Sequence, residues 1–249
     1  MLVGHYAIAL AAKALDRKPA LGSFFLATQL VDLVWIVMLV LRLEEVSLEL
    51  KPQAGLGSDI LKFGNQPFSH SLAASLVWGL LFAVWCYRGR LADGNLYRSL
   101  LLGFVVSSHW WLDLLVHDRD LPILFGDKPL VGAFLWQSAQ VAFWLELILL
   151  LACFALYCLR TRTRPETLVS LVWLERKAAW WPAVMLFSLV LVHFASSYMG
   201  LLIELLSAHL GQWVKTHALV LIQLMLGLTW IGLPILAFLT LDRVRGARI

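Results

Sequence analysis

Apolar residues run along this chain in long stretches that short polar segments separate. Six stretches approach or exceed the roughly 20 residues with which a helix crosses the hydrocarbon core of a bilayer. Their leucine- and alanine-rich composition, without strict alternation, favours membrane helices over the strands of a membrane barrel. The predicted spans are residues 20–42, 68–87, 97–117, 131–159, 179–206 and 216–241.

A shorter apolar segment, residues 4–15, precedes the first span and is too short to cross by itself. We expect it to form a half-inserted or interfacial helix, since it lacks the basic start and cleavage site of a signal peptide. The predicted fold class is therefore all-α. It is a polytopic membrane bundle of about six transmembrane helices plus a short N-terminal helix. We expect a single membrane domain over residues 1–249, with the chemistry in 1–160 and additional helices in 161–249.

Composition supports a membrane protein, because 61% of the residues are hydrophobic and only 14% are charged. Soluble domains have about 45–50% apolar and about 25% charged residues. A soluble globular domain, a disordered chain and a disulfide scaffold are therefore excluded. The 3 cysteines show no CxxC spacing and are interpreted as small buried apolar residues.

The net charge of +4 bears on orientation in the membrane and not on nucleic-acid binding. Lysine and arginine cluster in residues 13–18, 88–98, 160–177 and 243–248, which fall on one side of a six-span bundle. The positive-inside rule assigns that side to the cytoplasm. We therefore predict an integral membrane protein with both termini cytoplasmic and without a nucleic-acid partner.

Ionisable residues inside the predicted spans are functional candidates, because a charge at mid-bilayer costs at least about 2.5–3.5 kcal/mol. His109, Asp113 and His117 are spaced i, i+4 and i+8, which places them on one helix face. His109 and Asp113 can chelate one metal ion. His117 lies about 12 Å of helical rise from His109. It therefore binds a second ion, reaches inward from a bent helix end, or contacts the ligands without binding the ion itself.

Other segments are expected to add ligands to this helix. Asp32 lies near the middle of the first span, and His5 falls at a similar depth on the N-terminal helix. His70 begins the second span at the outer membrane boundary, where His117 also emerges. The residues thus predict a divalent-metal site, with zinc as the expected ion. Its predicted ligands are His5, Asp32, His70, His109, Asp113 and His117.

Polar interhelical packing is the alternative to a metal site. A single buried histidine in a membrane helix is more often a hydrogen-bonded contact than a ligand. We interpret His193, Glu146 and Glu204 as such contacts, and His109 with Asp113 as a metal-free pair is the corresponding alternative. The non-catalytic alternatives are an ion- or proton-binding transporter-like protein and a structural or assembly subunit.

The order of these residues resembles a family of bacterial multi-pass proteins known as membrane-bound metal-dependent hydrolases. The resemblance covers roughly residues 1–160 and rests on four short motifs, which are Gly4-His5-Tyr6, Val31-Asp32-Leu33, Ser69-His70-Ser71 and Ser108-His109 through Asp113. A subgroup adds His117-x-x-Asp120-x-Pro122 and a glycine-containing segment before a Trp, here residues 131–136. That family is in turn distantly similar to the zinc-dependent phospholipase C and nuclease group.

This resemblance implies a metal-dependent hydrolase with the same six ligands. The second His-x-x-x-Asp/Glu motif of the zinc group has no clear match, since the nearest candidate, His193, is followed by Ser197. From the resemblance and the membrane location together, we predict hydrolysis of a membrane lipid or lipid-linked (phospho)ester. The metal lowers the pKa of a water molecule to about 7, and Asp120 or Asp118 accepts the proton.

Overall fold

A computed structural model of the chain describes residues 1–48, 61–89, 91–126, 128–161, 172–198 and 231–237, with the single positions 203, 209, 217 and 229. These residues are mostly helical. The helices are α1 (Leu2–Leu15), α2 (Leu21–Val40), α3 (Leu72–Arg88), α4 (Leu96–Val116), α5 (Ala139–Arg160) and α6 (Val172–Ser197). Two antiparallel hairpins and a short 3₁₀ helix join them: β1 (Val46–Leu48) with β2 (Leu61–Phe63), β3 (Leu121–Pro122) with β4 (Leu130–Val131), and Leu135–Gln137.

Among the described helices, four are long and apolar enough to cross a membrane, namely Leu21–Val40, Leu96–Val116, Ala139–Arg160 and Trp180–Ser197. These are the helices of an integral membrane protein. The predicted number of six spans is not confirmed. α3 is apolar but has only 17 residues, and most of the predicted span 216–241 lies outside the described residues.

The helical class agrees with the described residues, in which two short hairpins join the helices, but the predicted start of the span at 131–159 needs correction. The span predicted at 131–159 becomes helical only at Ala139, because β4 and the 3₁₀ helix precede it and Phe134 has a positive φ of 62°. The helix of the span predicted at 179–206 begins earlier, at Val172, and includes Pro182, while its membrane-compatible part starts at Trp180, close to the prediction. Hydropathy measures side-chain polarity and not backbone conformation, so it merges an apolar hairpin strand with the helix that follows.

α1 is an interior helix. It packs against α2, α4 and α5, and its side chains Val3, Tyr6 and Leu10 are fully buried. The Tyr6 ring meets the Phe25 ring of α2 edge-on, with 5.0 Å between the centroids. A helix that lies on the membrane surface keeps a polar face in water. Burial on all sides does not fit that alternative, while half-insertion stays a prediction.

Side-chain caps determine where α3 and α4 begin. The Ser71 hydroxyl oxygen accepts a hydrogen bond from the Ala74 N–H at 3.0 Å, and Asn95 Oδ1 accepts one from the Arg98 N–H at 3.1 Å. Such caps stabilise a helix by about 1 kcal/mol. The Ser71 cap leaves His70 in the turn just before α3.

α3 and α4 lie unusually close to each other, at two glycines. A Cβ atom added to Gly79 would meet the Gly103 carbonyl oxygen at 2.7 Å, and one added to Gly103 would meet the Gly79 carbonyl oxygen at 2.6 Å. One turn further, the hydroxyl of Ser75 donates to the carbonyl of Ser107 at 3.3 Å. Small residues permit such contact between membrane helices. The resulting antiparallel register brings the turn that carries His70 beside the second half of α4.

This packing predicts that Gly79→Ala and Gly103→Ala each destabilise the protein by about 1–3 kcal/mol, because overpacking outweighs the better helix propensity of alanine. The measurement is thermal denaturation of the detergent-solubilised chain. Gly232→Ala is the matched control, since residue 232 is helical and exposed, and no atom of the described residues lies within 4 Å of an added Cβ. Equal stability of all three variants would contradict the close contact.

Candidate metal centre

Side chains from four segments converge at one place inside the bundle. α1 contributes a histidine, α2 an aspartate, the turn before α3 a second histidine, and α4 a histidine and an aspartate. All five side chains are buried, with less than a tenth of each residue exposed: His5, Asp32, His70, His109 and Asp113.

Asp113 contacts all three histidines of this cluster. Its Oδ1 lies 3.2 Å from His5 Nε2, and its Oδ2 lies 3.0 Å from His109 Nε2 and 3.9 Å from His70 Nε2. The amino group of Met1 lies 2.7 Å from the same Oδ1 atom. Asp113 therefore links the beginning of α1, the turn before α3 and α4 at a single carboxylate.

Asp32 completes the cluster from the side of α2. Its Oδ1 lies 3.5 Å from His70 Nε2 and 3.6 Å from His109 Nε2. The rings of His5 and His109 stack in parallel, with 3.7 Å between their centroids.

The donor atoms form two overlapping groups that share His109, and the atoms in each group lie within 4.8 Å of one another. Zinc ligands about 2.0–2.2 Å from a tetrahedral ion are roughly 3.3–3.6 Å apart, so these spacings suit a shared ion. The groups are His5 with Asp32 and His109, and His70 with His109 and Asp113.

The backbone of α2 sets the orientation of His109. Its Nδ1 lies 2.8 Å from the Thr28 carbonyl oxygen, so Nδ1 carries a proton and donates it. Nε2 is then directed at the oxygens of Asp32 and Asp113, and it is buried without a hydrogen bond among the described residues. An imidazole lone pair and a carboxylate oxygen are both acceptors, so a proton or a metal cation is needed between them.

His117 lies apart from this cluster. α4 ends at Val116, and His117 has extended backbone angles, with φ −63° and ψ 151°, so the shared helix face does not continue to it. Its Nδ1 lies 3.0 Å from Asp120 Oδ1, and its ring packs against Phe63 and Trp136, with centroid distances of 5.1 and 4.4 Å. Neither group of close donor atoms contains His117, and its role as a ligand stays a prediction.

The two predicted proton acceptors have different surroundings. Asp120 is paired with His117, and 29% of its side chain is exposed. Asp118 is exposed, and its Oδ1 accepts a hydrogen bond from Gln137 Nε2 at 3.2 Å. Asp120 is thus connected to the end of α4 through an imidazole, whereas Asp118 lies at the surface of the protein.

Sequence analysis did not identify Thr28 and Glu44, two residues that orient histidines of the site. Thr28 acts through its backbone carbonyl, and because every residue type has one, the sequence cannot indicate this role. Glu44 follows α2 and is only 3% exposed, and its carboxylate accepts hydrogen bonds from the segment that carries His70. An acidic residue just beyond an apolar span was a usable indication, but nothing in the sequence pairs it with residues 68–70.

A second buried polar pair joins α5 and α6. His193 Nδ1 lies 3.1 Å from Glu146 Oε2, and its Nε2 lies 3.1 Å from the Phe143 carbonyl oxygen. The His193 ring also stacks on the Phe143 ring at 4.5 Å. These distances describe an interhelical polar contact, while Glu204 lies outside the described residues.

Comparison of the chain with protein-family models, with curated proteins and with solved structures found no match. The family resemblance of the motifs therefore stays an expectation, and the geometry of the site carries the functional argument.

The α5–α6 pair predicts that Glu146→Leu and His193→Leu each destabilise the protein by about 3–5 kcal/mol, because each leaves one buried polar partner unpaired. The double variant should recover much of that loss, because it removes both groups. A double-mutant cycle from thermal denaturation in detergent measures this coupling. Additive single effects would show that the two side chains do not interact.

Proposed function

We propose that the protein is a membrane-embedded, metal-dependent hydrolase that acts on a lipid or lipid-linked (phospho)ester. The observation that carries this proposal is the buried Nε2 atom of His109, which faces oxygens of Asp32 and Asp113 without a hydrogen bond. Acceptors at 3.0 Å repel one another in a low dielectric unless a cation separates them. A single divalent ion would satisfy this atom and its neighbours together.

The set of donor atoms supports zinc as the ion. Three imidazoles and two carboxylates make up the two overlapping groups of donor atoms, and zinc is commonly bound by such nitrogen and oxygen ligands. The two carboxylates also attract a divalent ion inside an apolar bundle, where a charge without partners is costly. A bound ion supplies Lewis acidity, which polarises a phosphoryl or acyl oxygen and makes water a better nucleophile.

In this proposal His117 accepts the proton of the attacking water, and Asp120 orients the His117 ring. The Asp120 carboxylate holds the Nδ1 side of the ring at 3.0 Å, which leaves Nε2 as the acceptor in the neutral imidazole. Asp118 lies at the surface beside Gln137, and we assign it no role in proton transfer.

The apolar surroundings of the site support a lipid substrate. Large apolar side chains on α4, α5 and α6, among them Phe104, Ile148 and Phe187, point outward and are exposed by more than half. In a membrane these surfaces contact acyl chains, so a substrate reaches the bundle from the bilayer. The family resemblance of the motifs supports a bacterial inner membrane as the location of the protein, and the basic segments support cytoplasmic termini.

The proposal predicts about one or more zinc ions per chain in protein purified without chelator. His109→Ala should lose the metal and keep its helical circular-dichroism spectrum, and elemental analysis of the purified chain measures the loss. His209→Ala is the control, because His209 is exposed. A metal-free wild-type chain whose thermal stability does not respond to chelator would favour the structural or assembly alternative.

Because Asp120 orients the His117 imidazole that accepts the proton, the proposal predicts that Asp120→Asn keeps the metal but lowers turnover by about 10²–10⁴-fold, the usual contribution of general acid–base catalysis. Asp118→Asn is the matched control and should keep both metal and turnover. The assay follows cleavage of a chromogenic phosphodiester and of a chromogenic fatty-acyl ester in mixed micelles. Equal losses in the two variants would contradict the assignment.

A further inference from the structure

Glu44 is connected to His70 by hydrogen bonds that pass through Ser69. We infer that Glu44 is a positioning residue, which acts through Ser69 to hold the proton of His70 on Nδ1 and so present Nε2 to the metal. The metal part of this inference rests on the proposed function. The placement of the proton rests on the hydrogen bonds alone.

The carboxylate of Glu44 accepts three hydrogen bonds from two consecutive residues. Oε1 accepts from the backbone N–H groups of Phe68 and Ser69, at 2.8 and 2.9 Å. Oε2 accepts from the Ser69 hydroxyl at 2.5 Å. Hydrogen bonds to a carboxylate are about twice as strong as neutral ones. Glu44 therefore fixes both the turn before α3 and the direction of the Ser69 O–H bond.

The direction of that O–H bond decides where His70 carries its proton. A serine hydroxyl has one proton to donate, and Ser69 donates it to Glu44. The remaining contact of the hydroxyl oxygen, with His70 Nδ1 at 2.8 Å, must therefore be one in which Nδ1–H donates. In the neutral imidazole Nε2 is then left with the lone pair that a metal ion requires.

The competing contacts of His70 are weaker. Its Nε2 lies 3.5 Å from Asp32 Oδ1 and 3.9 Å from Asp113 Oδ2, beyond the usual hydrogen-bond length. His109 is oriented in the same way by the Thr28 carbonyl. Two of the three imidazoles in the cluster thus have their Nδ1–H bound on the far side, so that both Nε2 atoms face the carboxylates.

Replacing the Glu44 carboxylate by an amide should reverse the direction of both hydrogen bonds of the Ser69 hydroxyl. In Glu44→Gln the amide oxygen keeps the position that accepts two backbone N–H groups, so the NH₂ group takes the position beside the Ser69 hydroxyl. Ser69 then accepts from the amide, and we expect its freed proton to be donated to His70 Nδ1. The proton of His70 moves to Nε2, where it blocks metal binding. Ser69→Ala removes the hydroxyl and both of its hydrogen bonds, so that Ser69 no longer favours either tautomer of His70.

The experiment uses the full chain in detergent, with ¹⁵N-labelled histidine and no metal, at a pH about two units above the ordinary histidine pKa of about 6.5. We expect the His70 ¹⁵N shifts to show protonated Nδ1 in the wild type and protonated Nε2 in Glu44→Gln. His70→Asn identifies the signal. Glu45→Gln is the control, because Glu45 is the adjacent residue and is exposed.

Zinc affinity, measured by chelator competition, is the second readout. We expect Glu44→Gln and Ser69→Ala to weaken zinc binding by about 10–100-fold, as for other residues that orient metal-bound histidines, and Glu45→Gln to leave it unchanged. A wild-type His70 protonated on Nε2, or a Glu44→Gln variant with unaltered shifts, overturns the inference. If the wild type binds no zinc, the proposed metal site and its orientation by Glu44 both fail, while the proton placement is judged from the ¹⁵N shifts alone.

Discussion

The carboxylate of Asp113 is the interaction on which the rest of the structure depends. It contacts His5, His70 and His109 and the amino group of Met1, which come from three separate segments of the chain. Charge in an apolar bundle is costly unless it is paired. These segments must therefore pack so that their polar groups reach one another, and that requirement places α1 in the interior beside α4.

Orientation is the second constraint, because a histidine binds a metal through only one ring nitrogen at a time. The carbonyl of Thr28 and the Glu44–Ser69 pair hold the Nδ1 sides of His109 and His70. Both Nε2 atoms consequently face carboxylate oxygens. In the α5–α6 pair, by contrast, both nitrogens of His193 make hydrogen bonds. Polar packing accounts for that pair by itself, whereas in the main cluster His109 Nε2 is buried without a hydrogen bond among the described residues.

Much of the helical framework was predictable, because lipid requires apolar side chains and internally bonded backbone over the length of a span. The bounds of α2 and α4 agree with prediction to within two residues. Prediction was wrong where an apolar segment leaves the helical conformation, as at residues 131–138 before α5. It also extended the face of α4 as far as His117, although the helix ends one residue earlier.

The sequence by itself determined that this is a helical membrane protein, and that its buried ionisable residues concentrate in the first 120 positions. Hydropathy and helical spacing are local properties, so residue order was enough to show them. Only the tertiary structure decided which of these residues meet, that His117 pairs with Asp120, and that Glu44 reaches Ser69. Those contacts join residues far apart in the chain or depend on where a helix stops. They follow from helix packing and hydrogen-bond direction, neither of which residue identity encodes locally.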